Sequence, residues 1–194
     1  MCSNFDTVMN LALMQDYFAL SVVPKTLGDK ANRRPSDDVY LVLPRQEISL
    51  KGWGLKVDWS NKPLINARIE TVNQKPTYQG LLQNRCLVPV SCWYEWRQDH
   101  GQKYKNKIQI KNAGIFAFAG IWQEDRFTIL TQEASPEIKE IHHRMPVVVN
   151  RDDFADWLNP DNKGLEVIAS ISQKKAPTFQ WEEERPKNEQ FSLF

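Results

Sequence analysis

An α+β fold is predicted, with a mainly antiparallel sheet curling into a barrel-like core and short helices at its flanks. Three observations carry this. From Arg85 onward the chain falls into short runs of alternating apolar and polar residues divided by turns. The helical stretches are few, brief and scattered among those runs. No internal repeat or linker divides the 194 residues, a length that suits one domain with a sizeable core. The domain is drawn over residues 1–188, with residues 189–194 as a tail.

Taken in order, Asp6 is placed to cap a helix over Thr7 to Leu20, whose apolar face is Val8, Leu11, Ala12, Met14 and Phe18. Pro24 to Asp38 is polar and rich in breakers, a surface loop. VYLVLP (Val39 to Pro44) is a strand closed by its proline. EISLKGWGLKV is two short strands, or one bent around Lys51-Gly52. Trp59 to Lys62 is turn-like, and PLINARIETV follows with mixed polarity. Thr77 to Gln83 is a short helix. Then come RCLVPVSCWYEW, a turn at Asp99 to Gln102, KNKIQIK with clean alternation, a turn at Asn112 to Gly114, IFAFAGIW and RFTILTQ. Ser135-Pro136-Glu137 starts a helix, MPVVV is a strand, RDDFADWLN is a helix stopped by Pro160, and GLEVIAS is another.

Composition excludes several classes. A net charge of +1 provides no global field toward nucleic acid, so any such site must be a local patch. Three cysteines, Cys2, Cys86 and Cys92, are odd in number and form no CxxC pair, which argues against a disulfide framework or a zinc site. The N-terminus carries an acid, Asp6, where a secretory signal has bases, and no apolar run reaches membrane-spanning length. A cytoplasmic protein, nucleoid-associated in a bacterium, is expected, and nothing demands more than a monomer.

The candidate chemistry begins at Cys2. An initiator Met is normally removed when the second residue is this small, leaving Cys2 with a free α-amine beside its thiol. The amine titrates near about 7.7–8.0 and the thiol near about 8.5, so both have nucleophilic fractions at neutral pH. Together they can attack one aldehyde in sequence, giving an imine and then a five-membered thiazolidine. By itself Cys2 is better explained as the second residue of a frayed end. Asn66 and Arg68 would share one face of a strand, which alone fits a sheet's wet side. Glu95, between Tyr94 and Trp96, is either a desolvated carboxyl suited to acid–base work or a surface residue on an edge strand. His142 and His143 are adjacent, so one of them as proton shuttle and the other at the surface fits better than a metal pair. Arg144 can take a phosphate or pair with a carboxylate. Cys86 and Cys92 read as core thiols and His100 as surface. Trp53, Trp59, Trp93 and Trp96, with Arg45, Arg68, Arg85 and Arg144, are the residue types of a single-strand groove, although at least two of these Trp are expected in the core.

These pieces fall in a specific order. Met-Cys with Phe5, YLVLP, Trp53-Gly54, NARxET (Asn66 to Thr71), WYEW and IHxRMP (Ile141 to Pro146) together resemble the SOS response-associated peptidase (SRAP) family. Pro186-Lys187-Asn188 echoes a late family segment. The resemblance implies a compact β-rich domain that binds single-stranded DNA and crosslinks covalently to abasic sites, without metal or cofactor. It implies Cys2 as nucleophile, Asn66 holding the Cys2 amine, Glu95 moving protons, and His142 acting on the sugar oxygen and in reversal. Arg68 would take a phosphate, Trp59 would stack a base and Pro44 would wedge beside the lesion. Three departures stand out. The usual Gly-Arg after the cysteine is Ser3-Asn4, which predicts weaker phosphate binding there or a substitute such as Arg45. Leu41 replaces an Asn, and the chain is short.

Gln190-Phe191-Ser192-Leu193-Phe194 follows a charged stretch that cannot build a core. QFSLF resembles the short peptide by which bacterial proteins dock on the DNA polymerase sliding clamp, with Leu193 and Phe194 filling a pocket and Gln190 bonding at its rim. A tail folded back on its own core is the equal alternative. Two rivals to crosslinking stay open. One is a cysteine peptidase acting on Met1 or other proteins through Cys2, His142 and Asn66. The other is a non-covalent single-strand binder.

Overall fold

The computed structural model describes residues 2–174 and 177–184. The chain opens with β1 (Phe5–Asp6), α1 (Leu11–Phe18), β2 (Asn32–Arg33), β3 (Asp38–Leu43), β4 (Glu47–Trp53), β5 (Leu55–Val57), β6 (Ser60–Leu64) and β7 (Asn66–Arg68). After α2 (Pro76–Gln79) come β8 (Arg85–Val90), β9 (Cys92–Asp99), β10 (Gln102–Ile110), β11 (Phe116–Gln123) and β12 (Arg126–Glu133). The last elements are α3 (Pro136–Lys139), β13 (Arg144–Pro146), β14 (Val148–Val149), α4 (Phe154–Leu158), α5 (Gly164–Gln173) and β15 (Phe179–Glu183).

The path β12-β4-β3-β8-β11 returns to β12, which closes a five-strand ring. β13 and β7 attach to β12, and β14 to β11. These pairings are antiparallel except β12 with β4 and β12 with β7. A second sheet runs β15-β10-β9-β1-β2, and β5-β6 is a separate hairpin. The expected barrel-like α+β core is present.

Why the central strands read as nearly continuous apolar runs follows from their two covered faces. Along β8 and β11, Leu87, Ala117, Ala119 and Ile121 join a cluster with Met14, Phe18, Trp157 and Ile168 of the helices. The alternate residues Cys86, Val88, Phe116 and Phe118 join Phe5, Trp93, Ile108 and Phe179 of the second sheet. Cys2 lies in this second cluster with no exposed surface.

Four local expectations change. Asp6 is a strand residue whose carboxylate accepts from Asn32 Nδ2 (2.8 Å) and the Tyr94 hydroxyl (2.9 Å). The first helix therefore starts later, with Asn10 Oδ1 capping the Leu13 N–H at 2.9 Å. The strand break falls at Gly54, not Lys51-Gly52. Gly54 has φ +118°, and a Cβ there would lie 2.6 Å from Pro63 Cβ. Ser135 holds the cap position without a side-chain cap bond. Part of the charged C-terminal stretch is ordered as β15, paired along β10 from Ile110↔Phe179 to Asn106↔Glu183.

Arg85 is a structural residue. Its guanidinium donates to the carbonyls of Trp157 (2.7 Å), Leu82 (2.8 Å), Asn159 (2.5 Å) and Asn162 (3.1 Å), so one side chain ties β8 to α4 and the loop after it. Being almost fully buried, it does not face a groove, which corrects its expected place among DNA contacts. Arg85→Ala is expected to lower unfolding free energy by about 3–5 kcal/mol, because it leaves a cavity and several bare carbonyls. Urea denaturation with an unchanged slope checks this.

Candidate active site

The N-terminal segment is placed by the second sheet. Phe5 pairs with Trp93 and Asp6 with Cys92, and the Tyr94 N–H donates to the Asn4 carbonyl at 2.9 Å. Antiparallel continuation of that ladder carries Cys2 toward Glu95. From the barrel side, Asn66 Nδ2 donates to the Cys2 carbonyl at 2.7 Å. Asn66 thus holds Cys2, through the carbonyl rather than the amine the resemblance implied. Its Oδ1 is buried and has no partner among the described residues.

Burial pushes the Cys2 thiol far up, with the Glu95 charge adding to the effect, and the thiol donates weakly to the Asn4 carbonyl at 3.7 Å. Glu95 is itself buried, and loss of hydration raises its carboxyl from an ordinary 4.5 to about 7. This excludes the edge-strand alternative. Half-buried His142 is pulled down to about 4 by burial. His142 Nδ1 lies 3.0 Å from the Arg144 backbone nitrogen and 3.2 Å from the Arg144 carbonyl oxygen, so the backbone of Arg144 fixes the orientation of the ring. At neutral pH the set comprises a protonated thiol, a carboxyl that titrates near neutrality and a neutral imidazole. His143 is exposed and stacks on His142 with ring centroids 4.5 Å apart.

The expected strand-binding residues divide into two groups. Arg68 and Arg45 are exposed, Pro44 is half-buried, and Trp59 is 70% exposed in the turn between β5 and β6. Arg45 adopts φ +63° in the β3–β4 connection. The other group is sequestered. Trp53 is fully buried with its Nε1–H on the Ile65 carbonyl at 2.9 Å, so it is core and not a stacking platform. Arg144 forms a two-pronged pair with Glu70 (2.7 and 2.9 Å) and donates to the Thr131 carbonyl at 2.8 Å. Of its two open readings, the carboxylate partner is the one present, and the phosphate contact is corrected. Trp93 is also buried, so two of the four Trp are core as expected, and Cys86 and Cys92 are core thiols.

The departures have structural answers. Asn4 is buried, and its Oδ1 accepts from Asn32 Nδ2 at 2.7 Å, so this position presents no surface group. Leu41 is fully buried in the core cluster shared with Cys2. Sequence reasoning missed Glu70, Asn32 and Asn106. Asn106 had a usable signal, since it is the polar member of the Asn106, Ile108, Ile110 face of an alternating strand. Among the described residues, no group of three or more His, Cys, Asp or Glu could hold a metal, and no helix is long and apolar enough to cross a membrane. The tail residues Gln190, Leu193 and Phe194 lie outside the described residues.

The chain is similar to abasic site processing protein YoaM of Bacillus subtilis, at 31% identity over 159 residues, covering 72% of this chain and 70% of that one. It is 27% identical over 173 residues to abasic site processing protein YedK of Escherichia coli, covering 81% and 78%. A crystal structure of a protein from Bacteroides thetaiotaomicron superposes with a TM-score of 0.82 at 20% identity, covering 95% of this chain and 93% of that one, which shows the shared fold. The family model described as SOS response associated peptidase (SRAP) matches residues 1–184, and with the ordered motifs seated around Cys2 the chain belongs to that family.

Proposed function

We propose that this protein binds single-stranded DNA and captures abasic sites covalently through Cys2 once Met1 has been hydrolysed off. The observation that carries the reading is the grip on Cys2 by a side chain 64 residues away, beside a carboxyl that titrates near neutrality. The names of the relatives, which refer to abasic-site processing, support it.

The raised thiol of Cys2 supports an order of steps in which nitrogen acts first. A thiol held protonated by burial is a poor first nucleophile, so the α-amine attacks the aldehyde carbon of the ring-opened sugar. The resulting carbinolamine loses one water to give the imine. The sulfur then adds to the imine carbon, its proton passing to nitrogen, and closes the thiazolidine. One C–N and one C–S bond form, one water leaves, and no oxidant is needed. Protonated Glu95 supplies the proton that lets hydroxide depart as water, and recovers one afterwards. Asn66 Oδ1 is the acceptor available to the amine. Neutral His142 acts on the sugar oxygen. Pro44 wedges beside the lesion, and Arg68 and Arg45 take phosphates.

The test mixes Met1-free protein with a single-stranded oligonucleotide bearing one abasic site. A band that survives denaturation, with intact mass equal to protein plus oligonucleotide minus one water, is expected. No such band would end the covalent reading, leaving proteolysis or plain binding as the activities to assay. The peptidase reading conflicts with the state of Cys2, because a cysteine-peptidase nucleophile needs a lowered thiol pKa and this one is raised.

Non-covalent binding supplies a second check. Arg68→Ala should reduce the slope of log K against log salt by about 0.7, the share of one phosphate on a single strand. Trp59→Ala should weaken binding by about 1–3 kcal/mol with the slope unchanged. We also propose that QFSLF docks on the sliding clamp and brings the protein to replication gaps. Clamp pull-down should be lost when the last five residues are deleted, and retention would refute the docking.

A further inference from the structure

We infer that Asn106 is a positioning residue for Glu95, its side-chain oxygen accepting the O–H of the protonated carboxyl. The inference rests on the role given to Glu95 above.

In the β9–β10 ladder Asn106 lies directly opposite Glu95. Directly opposed residues of an antiparallel pair share one face, with Cβ atoms about 4.5–5.5 Å apart. The neighbours on that face define the setting. On one side is the Trp93–Ile108 pair, both fully buried in the core. On the other is the Arg97–Tyr104 pair, where the guanidinium lies 5.0 Å from the ring centre. The Glu95–Asn106 pair is thus the last buried layer before the sheet opens to solvent.

Asn106 is buried with no exposed surface, and its Nδ2 donates to the Tyr104 carbonyl at 2.8 Å. That bond fixes the amide plane and leaves Oδ1 as an acceptor only. Oδ1 has no partner among the described residues. A buried carbonyl-type oxygen without a donor is costly, and such groups in folded proteins call for an explanation. Of the two states of the Glu95 carboxyl, only the protonated one can donate to it, because the carboxylate would meet it oxygen to oxygen. The arrangement therefore favours the acid form of Glu95 beyond what burial does, with its proton on the β10 side and its second carboxyl oxygen left toward the β1 side, which carries Cys2.

Of the other charges around Glu95, the N-terminal ammonium acts in the opposite sense and lowers its carboxyl, though less than burial raises it. The Cys2 thiol faces it from the N-terminal segment and is itself held protonated. Arg97 is bound to Asp99 (2.8 Å) and Glu183 (3.0 Å). Lys105 and Lys107 belong to the opposite face, with Lys105 Nζ 3.9 Å from the centre of the Tyr94 ring.

The test is a carbon-13 NMR titration of the Glu95 side-chain carboxyl in the free protein, assigned with Glu95→Gln, for wild type, Asn106→Leu and Asn106→Asp. Loss of the acceptor in Asn106→Leu should move the Glu95 midpoint down by about one pH unit, the worth of one ordinary hydrogen bond. Asn106→Asp keeps the acceptor and adds a like charge, so the midpoint should move up. Opposite displacements by two near-isosteric variants are not what a purely structural role would give. Coincident midpoints, or two displacements in the same direction, would overturn the inference. The titration needs no DNA, so its failure is separable from failure of crosslinking in the gel assay. Where crosslinking occurs, its alkaline limb should follow the same two displacements.

Discussion

With Met1 retained, adduct formation on an abasic oligonucleotide is expected to fall to background while the fold and non-covalent binding persist. A peptide nitrogen cannot form an imine, so acylating the Cys2 amine removes the first step and not merely its rate. Cys2→Ser, with its own Met removed, should separate the second step. The imine still forms, but the weaker hydroxyl nucleophile leaves the adduct hydrolysable, and borohydride should trap it as a permanent bond. Cys2→Ala should behave as Cys2→Ser does. An adduct of full yield from protein whose retained Met1 is confirmed by mass would sink the amine-first order and revive attack by the thiol alone.

Glu95→Gln should slow adduct formation by about 100-fold or more, within the usual range for removing a general acid–base group. The wild-type rate should be bell-shaped in pH. It rises as the Cys2 amine loses its proton near about 8, and it falls as Glu95 ionises near 7. Loss of the falling limb in Glu95→Gln would identify the group, whereas a limb that survives would belong to another residue. The same substitution has a stability signature. The folded-state carboxyl titrates above its ordinary 4.5, so the native state binds more protons than the unfolded chain between pH 4.5 and about 7. Wild-type stability must therefore decline as pH rises through that window, by up to about 3 kcal/mol, and Glu95→Gln should flatten the decline. Urea midpoints at pH 5 and 8 check it.

The sequence announced the strands that face the core on one or both sides, because period-two patterning is strong there. It hid β15, where only Phe179 of five residues is buried and backbone pairing with β10 does the holding. The N-terminal helix was drawn too early because Asp6 is a good cap by type, and only the partners Asn32 and Tyr94, distant in sequence, show it committed to the sheet. The residues expected at the centre, Cys2, Asn66, Glu95 and His142, carried motif signals. The basic residues did not. Arg85, Arg144 and Arg68 look alike as letters, yet the first binds carbonyls, the second binds Glu70 and the third faces solvent. Whether an arginine is a surface charge or an internal strut depends on carbonyls and carboxylates far along the chain, which no local window contains.

The docking of β1 on β9 sets a deadline during synthesis. Cys2 ends with no exposed surface, so we expect an aminopeptidase to act most readily before that docking occurs. Phe5 and Asp6 can pair with Arg33 and Asn32 early, but they cannot dock on β9 until Cys92 and Trp93 have been made. At about 5–20 residues per second, the intervening stretch leaves on the order of 5–20 s in which the terminus is open. Maturation of the nucleophile is therefore a race between trimming and translation. A chain that loses the race folds normally and stays chemically silent, so overproduction that outruns the aminopeptidase should yield a stable, well-folded and inert fraction.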